Sequence, residues 1–252
     1  MSISFELSAV VIGALAGLLI GATGVGGAAF ATPAMVLVLG ISAPLAIATD
    51  ALFVLAIKVV AVWAHRRELV SSRPIFVRVL AGSIPGVVLG VLALGQLQGI
   101  DGGELLLKKA LGVLLILTAS VSVGRAIWGG RNVVPFVPAW MLPPISLVLG
   151  FFVGLTSIGA GSLFLPLLLA SVALPFRSVV ALDLSLGLIM AVALAGLHLT
   201  FSTIDPQLLL GLVIGGVPGA LFGARLHDYL GTKALISTAG GLVAVAGLRL
   251  VF

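Results

Sequence analysis

The chain has 252 residues, 61% of them apolar and 8% charged, with a mean hydropathy of +1.35 and a formal net charge of +5. A water-soluble domain carries about 25% charged residues, so the composition excludes a soluble fold and reads as one compact membrane domain. The absence of cysteine excludes disulfides and thiolate metal sites.

Residues 1–7 contain Glu6 but no Lys or Arg, so the basic n-region of a cleavable signal peptide is not expected. Eight apolar blocks follow, at about 7–40, 44–65, 76–97, 105–128, 140–174, 178–201, 208–226 and 234–252. A spanning helix needs about 20 apolar residues, and six blocks fit one span each. The first and fifth are too long for one span. Each is interrupted near its middle by small residues, 21–27 (GATGVGG) and 156–162 (TSIGAGS), and each then carries a proline, Pro33 or Pro166. Glycine clusters permit backbone angles that other residues resist, so each long block is predicted to be two shorter helices joined by a non-helical tip. At membrane depth such a tip must be buried in protein or line a cavity. The polar interruptions at 66–74 and 99–104 have ordinary loop lengths, and no linker or appended soluble domain is expected.

The two long blocks belong to a duplication. At an offset of 133 positions, Gly21, Thr23, Gly26 and Pro33 fall on Gly154, Thr156, Gly159 and Pro166. Ala48, Asp50 and His65 fall on Ala181, Asp183 and His198, and Gly82, Pro85, Gly86 and Gly90 on Gly215, Pro218, Gly219 and Gly223. The halves are 1–133 and 134–252. Charge sets their orientation. Arg66, Arg67, Arg73 and Arg78 mark the loop after the second block as cytoplasmic, and Arg125 and Arg131 do the same between blocks four and five. The loop matching the first of these, 199–207, has Asp205 and no Lys or Arg, while Arg177, Arg225 and Lys233 flank the neighbouring loops. Matching loops thus fall on opposite sides, which requires an odd number of crossings per half. The fold class expected is an all-α polytopic membrane protein of two inverted repeats, five segments each, each opened by a broken helical hairpin. Lys108 and Lys109 at an outer end run against this scheme, and a parallel four-plus-four repeat is the alternative.

Candidate site residues come from the interruptions and the intramembrane charges. A helix start offers unpaired N–H groups and the positive end of its dipole. Two glycine-rich tips could therefore hold an oxyanion through Gly24, Gly26 and Gly27 on one side and Gly159 and Gly161 on the other. Thr23, Thr156, Ser157 and Ser162 would add hydroxyls. The bland reading is that the small residues only let helices pack closely. Asp50 and Asp183, two turns into their helices, are coupling candidates, because a carboxylate in a membrane helix is costly; hydrogen bonding near a helix start is the structural alternative. Lys58, whose repeat twin is Ala191, could attract an anion or pair with Asp50 two turns earlier. His65 and His198 end their helices. They are read as interfacial histidines, with a gating or pH-sensing role as the sharper alternative. Pro85 and Pro218 are read as architecture that bends their helices.

These residues resemble the TauE/SafE family of sulfite and organosulfonate exporters. The resemblance is carried by 21–27 with Pro33 and Asp50, and by 154–162 with Pro166, Asp183, His198 and 215–219, and it covers nearly the whole chain. It implies a multi-pass inner-membrane protein that moves small, often sulfur-containing anions such as sulfite or sulfoacetate. The expected function is secondary transport by alternating access, proton coupling being one option. A passive anion channel is the alternative, and a hydrolase using Ser157 or Ser162 with His198 is disfavoured by their different depths. No phosphate-binding motif is present. No cofactor, metal or nucleic-acid partner is expected. The partners are a small anion and the lipid bilayer, and a homodimer stays open.

Overall fold

The computed structural model describes residues 3–23, 28–64, 73–128, 137–158, 163–172, 174, 176–226 and 245–250. These residues form helices joined by short connections, with no strand among them. The first long block is α1 (Ile3–Thr23) and α2 (Ala28–Val38), followed by α3 (Ala43–Ala64), α4 (Arg73–Gln98) and α5 (Gly103–Trp128). After a 3-10 turn at Ala139–Met141, the second long block is α6 (Leu142–Thr156) and α7 (Phe164–Ser171), then α8 (Phe176–Phe201) and α9 (Pro206–Leu226). Residues 245–250 add a short helical segment, where Gly247 lies against the Gly112 carbonyl and Leu115 of α5. Six helical stretches among the described residues are long and apolar enough to cross a membrane, and the protein is a multi-pass membrane protein. α6 ends among the small residues of the second long block, and residues 24–27 and 159–162 lie outside the described residues.

Local chemistry fixes the connections on one face. Gly40 adopts a left-handed φ of 65° just past α2, and the Leu39 N–H bonds back to the Met35 carbonyl, a helix stop that glycine permits without a Cβ clash. Asp205 caps α9, accepting from the N–H groups of Gln207 at 2.9 Å and Leu208 at 3.1 Å. This charge is therefore also the helix's N-cap.

Helix directions follow from a few contacts. The Val137 N–H donates to the Ala170 carbonyl at 3.0 Å. The chain entering α6 thus meets the chain leaving α7, and the two helices double back as a hairpin. α8 starts on that same face and its 26 residues run away from it. Only 202–205 join α8 to α9, about 16 Å of extended chain against a core of about 30 Å, so α9 must return. α9 in turn runs parallel to α1, because Gly13, Gly17 and Gly21 meet Leu212, Gly216 and Ala220 in rising order. It follows that α1 and α6, which occupy matching positions at the 133-residue offset, run in opposite directions. The loops 42–45, 98–107 and 202–203 come together around one cavity, so α3 begins on the face where α8 ends. Arg73, Arg177 and Arg225 lie at helix ends on the opposite face, which the charge rule makes cytoplasmic. On the outer face Lys108 pairs with Glu104 at 3.1 Å, which offsets one of the two lysines that run against the charge pattern.

The closest packing crosses between the halves. α1 packs chiefly on α9, α4 on α6, and α3 on α8. The first two seams are made of glycine. A Cβ at Gly13, Gly17 or Gly21 would strike the α9 backbone, and one at Gly215, Gly219 or Gly223 would strike α1. Gly82, Gly86 and Gly90 sit likewise against α6, with Gly150 and Gly154 against α4. In lipid no hydrophobic force drives helices together, so small residues that let backbones touch supply the packing. The four-residue glycine spacing of the duplicated motif is therefore an interface pattern. Gly21 and Gly154, counted with the tips at the sequence level, belong to it.

Candidate functional site

Three buried charged residues lie on α3 and α8, which pack against one another. Asp50 and Asp183 are both 0% exposed and Lys58 is 2% exposed. Counted from the outer face, Asp50 lies about 10 Å down α3 and Lys58 about 22 Å, while Asp183 lies about 27 Å down α8. The two carboxylates thus occupy two levels.

At the outer level, Thr32 of α2 donates its hydroxyl to Asp50 Oδ2 at 2.9 Å. Ser157, at the end of α6 in the other half, lies beside the same carboxyl, but its hydroxyl makes no hydrogen bond among the described residues. One side chain of α3 therefore lies between the half-helix of the first hairpin and the tip of the second. Asp50 Oδ1 and the neighbouring Thr49 hydroxyl have no hydrogen-bond partner among the described residues, which leaves polar capacity in an otherwise apolar interior.

The second tip has a defined entry. Thr156 donates to the Phe152 carbonyl at 2.6 Å and accepts from the Ile158 N–H at 3.3 Å. Its only hydroxyl proton is spent on ending α6, so it can offer a ligand only an acceptor in this arrangement. Ser157 follows with φ 57° and ψ −6°, left-handed, its N–H bonded to the Val153 carbonyl at 2.8 Å. A non-glycine residue there costs about 1–2 kcal/mol, more for a β-branched one. Ser157→Val is expected to lower stability by about that amount relative to Ser157→Gly, which keeps the turn and removes only the hydroxyl. Thermal unfolding in detergent checks this, and equal melting temperatures for the two variants would show that the turn does not need the left-handed residue.

At the inner level, Lys58 Nζ has no hydrogen-bond partner among the described residues, and the charge acting on it is Asp183. The pairing with Asp50 considered from sequence does not form. Eight helical residues separate the two by about 12 Å along the axis, and Asp50 is engaged by the Thr32 hydroxyl instead.

His198 lies in the last turn of α8 as its position suggested, but it is 0% exposed rather than interfacial. Its Nδ1 is 2.8 Å from Ser202 Oγ. Ser202 lines the outer cavity of about 450 Å³, with Ser42, Gln98, Asp101, Glu104 and Thr203. The burial follows from packing, since α8 lies against α3, α4 and α7. Gly24, Gly26, Gly27, Gly159, Gly161, Ser162 and His65 lie outside the described residues, as does the Thr23 side chain. Among the described residues no three His, Asp or Glu side chains converge as a metal site.

Thr32 was missed at the sequence level. Its repeat twin is Leu165, so matching the halves directs attention away from it. The only signal is a hydroxyl inside an apolar half-helix.

A family model described as "Sulfite exporter TauE/SafE" matches residues 9–250. The chain is 32% identical over 262 residues to a "Probable membrane transporter protein YjnA" of Bacillus subtilis (strain 168), covering all of both chains. It is 29% identical over 248 residues to a "Probable membrane transporter protein" of Xylella fastidiosa (strain Temecula1 / ATCC 700964), covering 93% of this chain and 90% of the relative, and matches a protein of the same description from strain 9a5c equally. No solved structure matches the chain.

Proposed function

The chain belongs to the TauE/SafE sulfite exporter family of membrane transporters, and on that premise we propose that it is a secondary transporter that moves a small sulfur-containing oxyanion, sulfite or an organosulfonate such as sulfoacetate, across the inner membrane by alternating access between two inverted halves. The observation that carries this reading is the Thr32–Asp50 bond with Ser157 beside it. Elements of both halves converge on one buried carboxyl, so relative movement of the halves must remake that contact. Opposed directions of matching helices support the rocking of one half against the other. The glycine tips are the proposed oxyanion cradle, through Thr23, Gly24, Gly26 and Gly27 with Ser157, Gly159, Gly161 and Ser162, while Thr156, its hydroxyl proton given to the Phe152 carbonyl, shapes the second tip. Their N–H groups and the hydroxyls bind without the cost of a fixed charge. Lys58 supplies attraction, and Asp50 and Asp183 are the proposed coupling carboxylates. The buried His198 beneath the outer cavity is a proposed gate residue.

Purified protein in liposomes tests the reading. Sulfite, thiosulfate, sulfoacetate, taurine and sulfate would be offered in turn. Saturable uptake of at least one, with accelerated exchange when the same anion is loaded inside, is the expected result. Flux that rises linearly with concentration, with no exchange acceleration, would identify a passive channel instead.

A further inference from the structure

The halves agree at Asp50 and Asp183 but differ in what surrounds each carboxylate. Asp50 is met by Thr32, whose twin is the apolar Leu165. Asp183, buried on α8, lies at nearly the same depth as Lys58, buried on the α3 helix packed against it, and the twin of Lys58 is the apolar Ala191. Two separate substitutions thus give one carboxylate a neutral hydroxyl partner and set a cation near the other. The cation is buried toward the inner end of α3, where desolvating an ammonium is expensive unless an anion accompanies it.

The geometry points to a competition at Lys58: the Asp183 carboxylate is a tethered anion that balances the buried ammonium while the site is empty, and an incoming monovalent oxyanion takes its place. This rests on the transporter reading above and adds which half of the site holds the anion and what must leave first. No covalent bond changes. The substrate brings one negative charge, and the displaced carboxylate takes one proton from the aqueous phase, so the interior holds the same net charge before and after. Two negative groups sharing one ammonium in a low-dielectric interior would repel strongly, which drives that proton uptake.

Few other charges bear on the pair. α3 itself carries Asp50, two turns away and engaged by Thr32. α8 carries Arg177, six residues before Asp183, and His198, fifteen residues after it and bonded to Ser202. Among the other helices packed on α3 or α8, α2 and α7 have no charged residue, α1 has only Glu6 near its outer end, and α9 only Arg225 at its cytoplasmic end. α4 has Arg73 and Arg78 in its first turns, and α5 has Glu104, Lys108 and Lys109 near its outer end and Arg125 near the other.

Binding is read with the full chain in nanodiscs, using sulfite at one fixed pH and methanesulfonate, whose charge is constant, across a pH series. In the wild type, methanesulfonate should bind more tightly as pH falls. Asp183→Asn should bind both anions about tenfold more tightly, as expected if the competing carboxylate leaves about a tenth of the sites free, and its methanesulfonate affinity should no longer follow pH. Lys58→Met/Asp183→Asn removes both charges together, so it should keep the wild-type melting temperature and bind at least about tenfold more weakly than wild type. Should Asp183→Asn be poorly stable, saturating sulfite should raise its melting temperature by more than it raises the wild type's. Asp183→Asn binding no tighter than wild type, or the double variant binding as well as wild type, overturns the competition and leaves the transporter reading intact. A wild type that neither binds nor transports any of the anions overturns both.

Discussion

Gly17→Leu and Gly86→Leu should each abolish accumulation of folded protein. At Gly17 the α1 backbone lies against the Gly216 carbonyl of α9, and at Gly86 the α4 backbone lies against the Leu147 carbonyl of α6. In both, even a methyl group would have to displace a helix backbone, not a flexible side chain. Overpacking a core costs about 1–3 kcal/mol where side chains can shift. Here the whole helix must move, and each seam repeats the contact on successive turns, so the loss approaches the total stability of about 5–15 kcal/mol typical of a folded protein. Lipid offers no compensating drive to re-associate the separated helices. The controls are Gly95→Ala and Gly196→Ala. Nothing lies near the Cβ position of either residue, and replacing glycine within a helix should leave stability unchanged or raise it by about 0.5–1 kcal/mol. Size-exclusion profiles and thermal unfolding in detergent read both sets. A monodisperse Gly17→Leu protein with the wild-type melting temperature would mean that α1 and α9 do not pack as described.

The second large effect is expected at Asp50. Asp50→Leu should reduce anion flux in liposomes by about tenfold or more, since it removes both the Thr32 hydrogen bond, about 1 kcal/mol, and the carboxyl that lies beside Ser157 of the other half. Asp50→Asn separates the roles. Its amide oxygen still accepts from Thr32, so the protein should fold with a melting temperature near wild type, but it cannot gain or lose a proton. Its flux should therefore fall while the pH dependence assigned to this carboxyl disappears. Thr32→Val should show a milder loss, about 5–10-fold, as expected for one bond of about 1 kcal/mol. Normal flux with unchanged pH dependence in Asp50→Asn would remove this residue from the transport cycle and leave it a structural link between α2, α3 and α6.

Much of the fold is legible in the chain. Hydropathy over windows of about 20 residues and the small-residue stretches at 21–27 and 156–162 are local properties, so the two long blocks can be recognised without knowing any partner. The directions of the helices were legible only through loop charge, a signal that Lys108 and Lys109 weaken. Glu104, one turn before Lys108, explains part of that exception through an i,i+4 pair. The glycines at 82, 86, 90, 215, 219 and 223 announce close approach by their four-residue spacing, but not the neighbour they approach.

Burial and partnership of the polar residues were less legible. His198 is at a helix end, where sequence alone favours an interface, yet the packing of α8 against α3, α4 and α7 buries it. Thr32 has no counterpart in the second half, and Lys58 passes over the carboxylate on its own helix for one on α8.

The amino-acid sequence by itself determined that this protein spans a membrane, and it placed the small-residue stretches at 21–27 and 156–162 and the identities at an offset of 133 positions. These follow from composition, local hydropathy and an offset that needs no coordinates. Only the tertiary structure decided that the seams join α1 to α9 and α4 to α6, that Asp50 stands between both hairpins, and that Lys58 answers to Asp183. Such pairings link residues from eighteen to well over one hundred positions apart. They are set by the crossing of helices from opposite halves, a relation that no local pattern of residue types encodes.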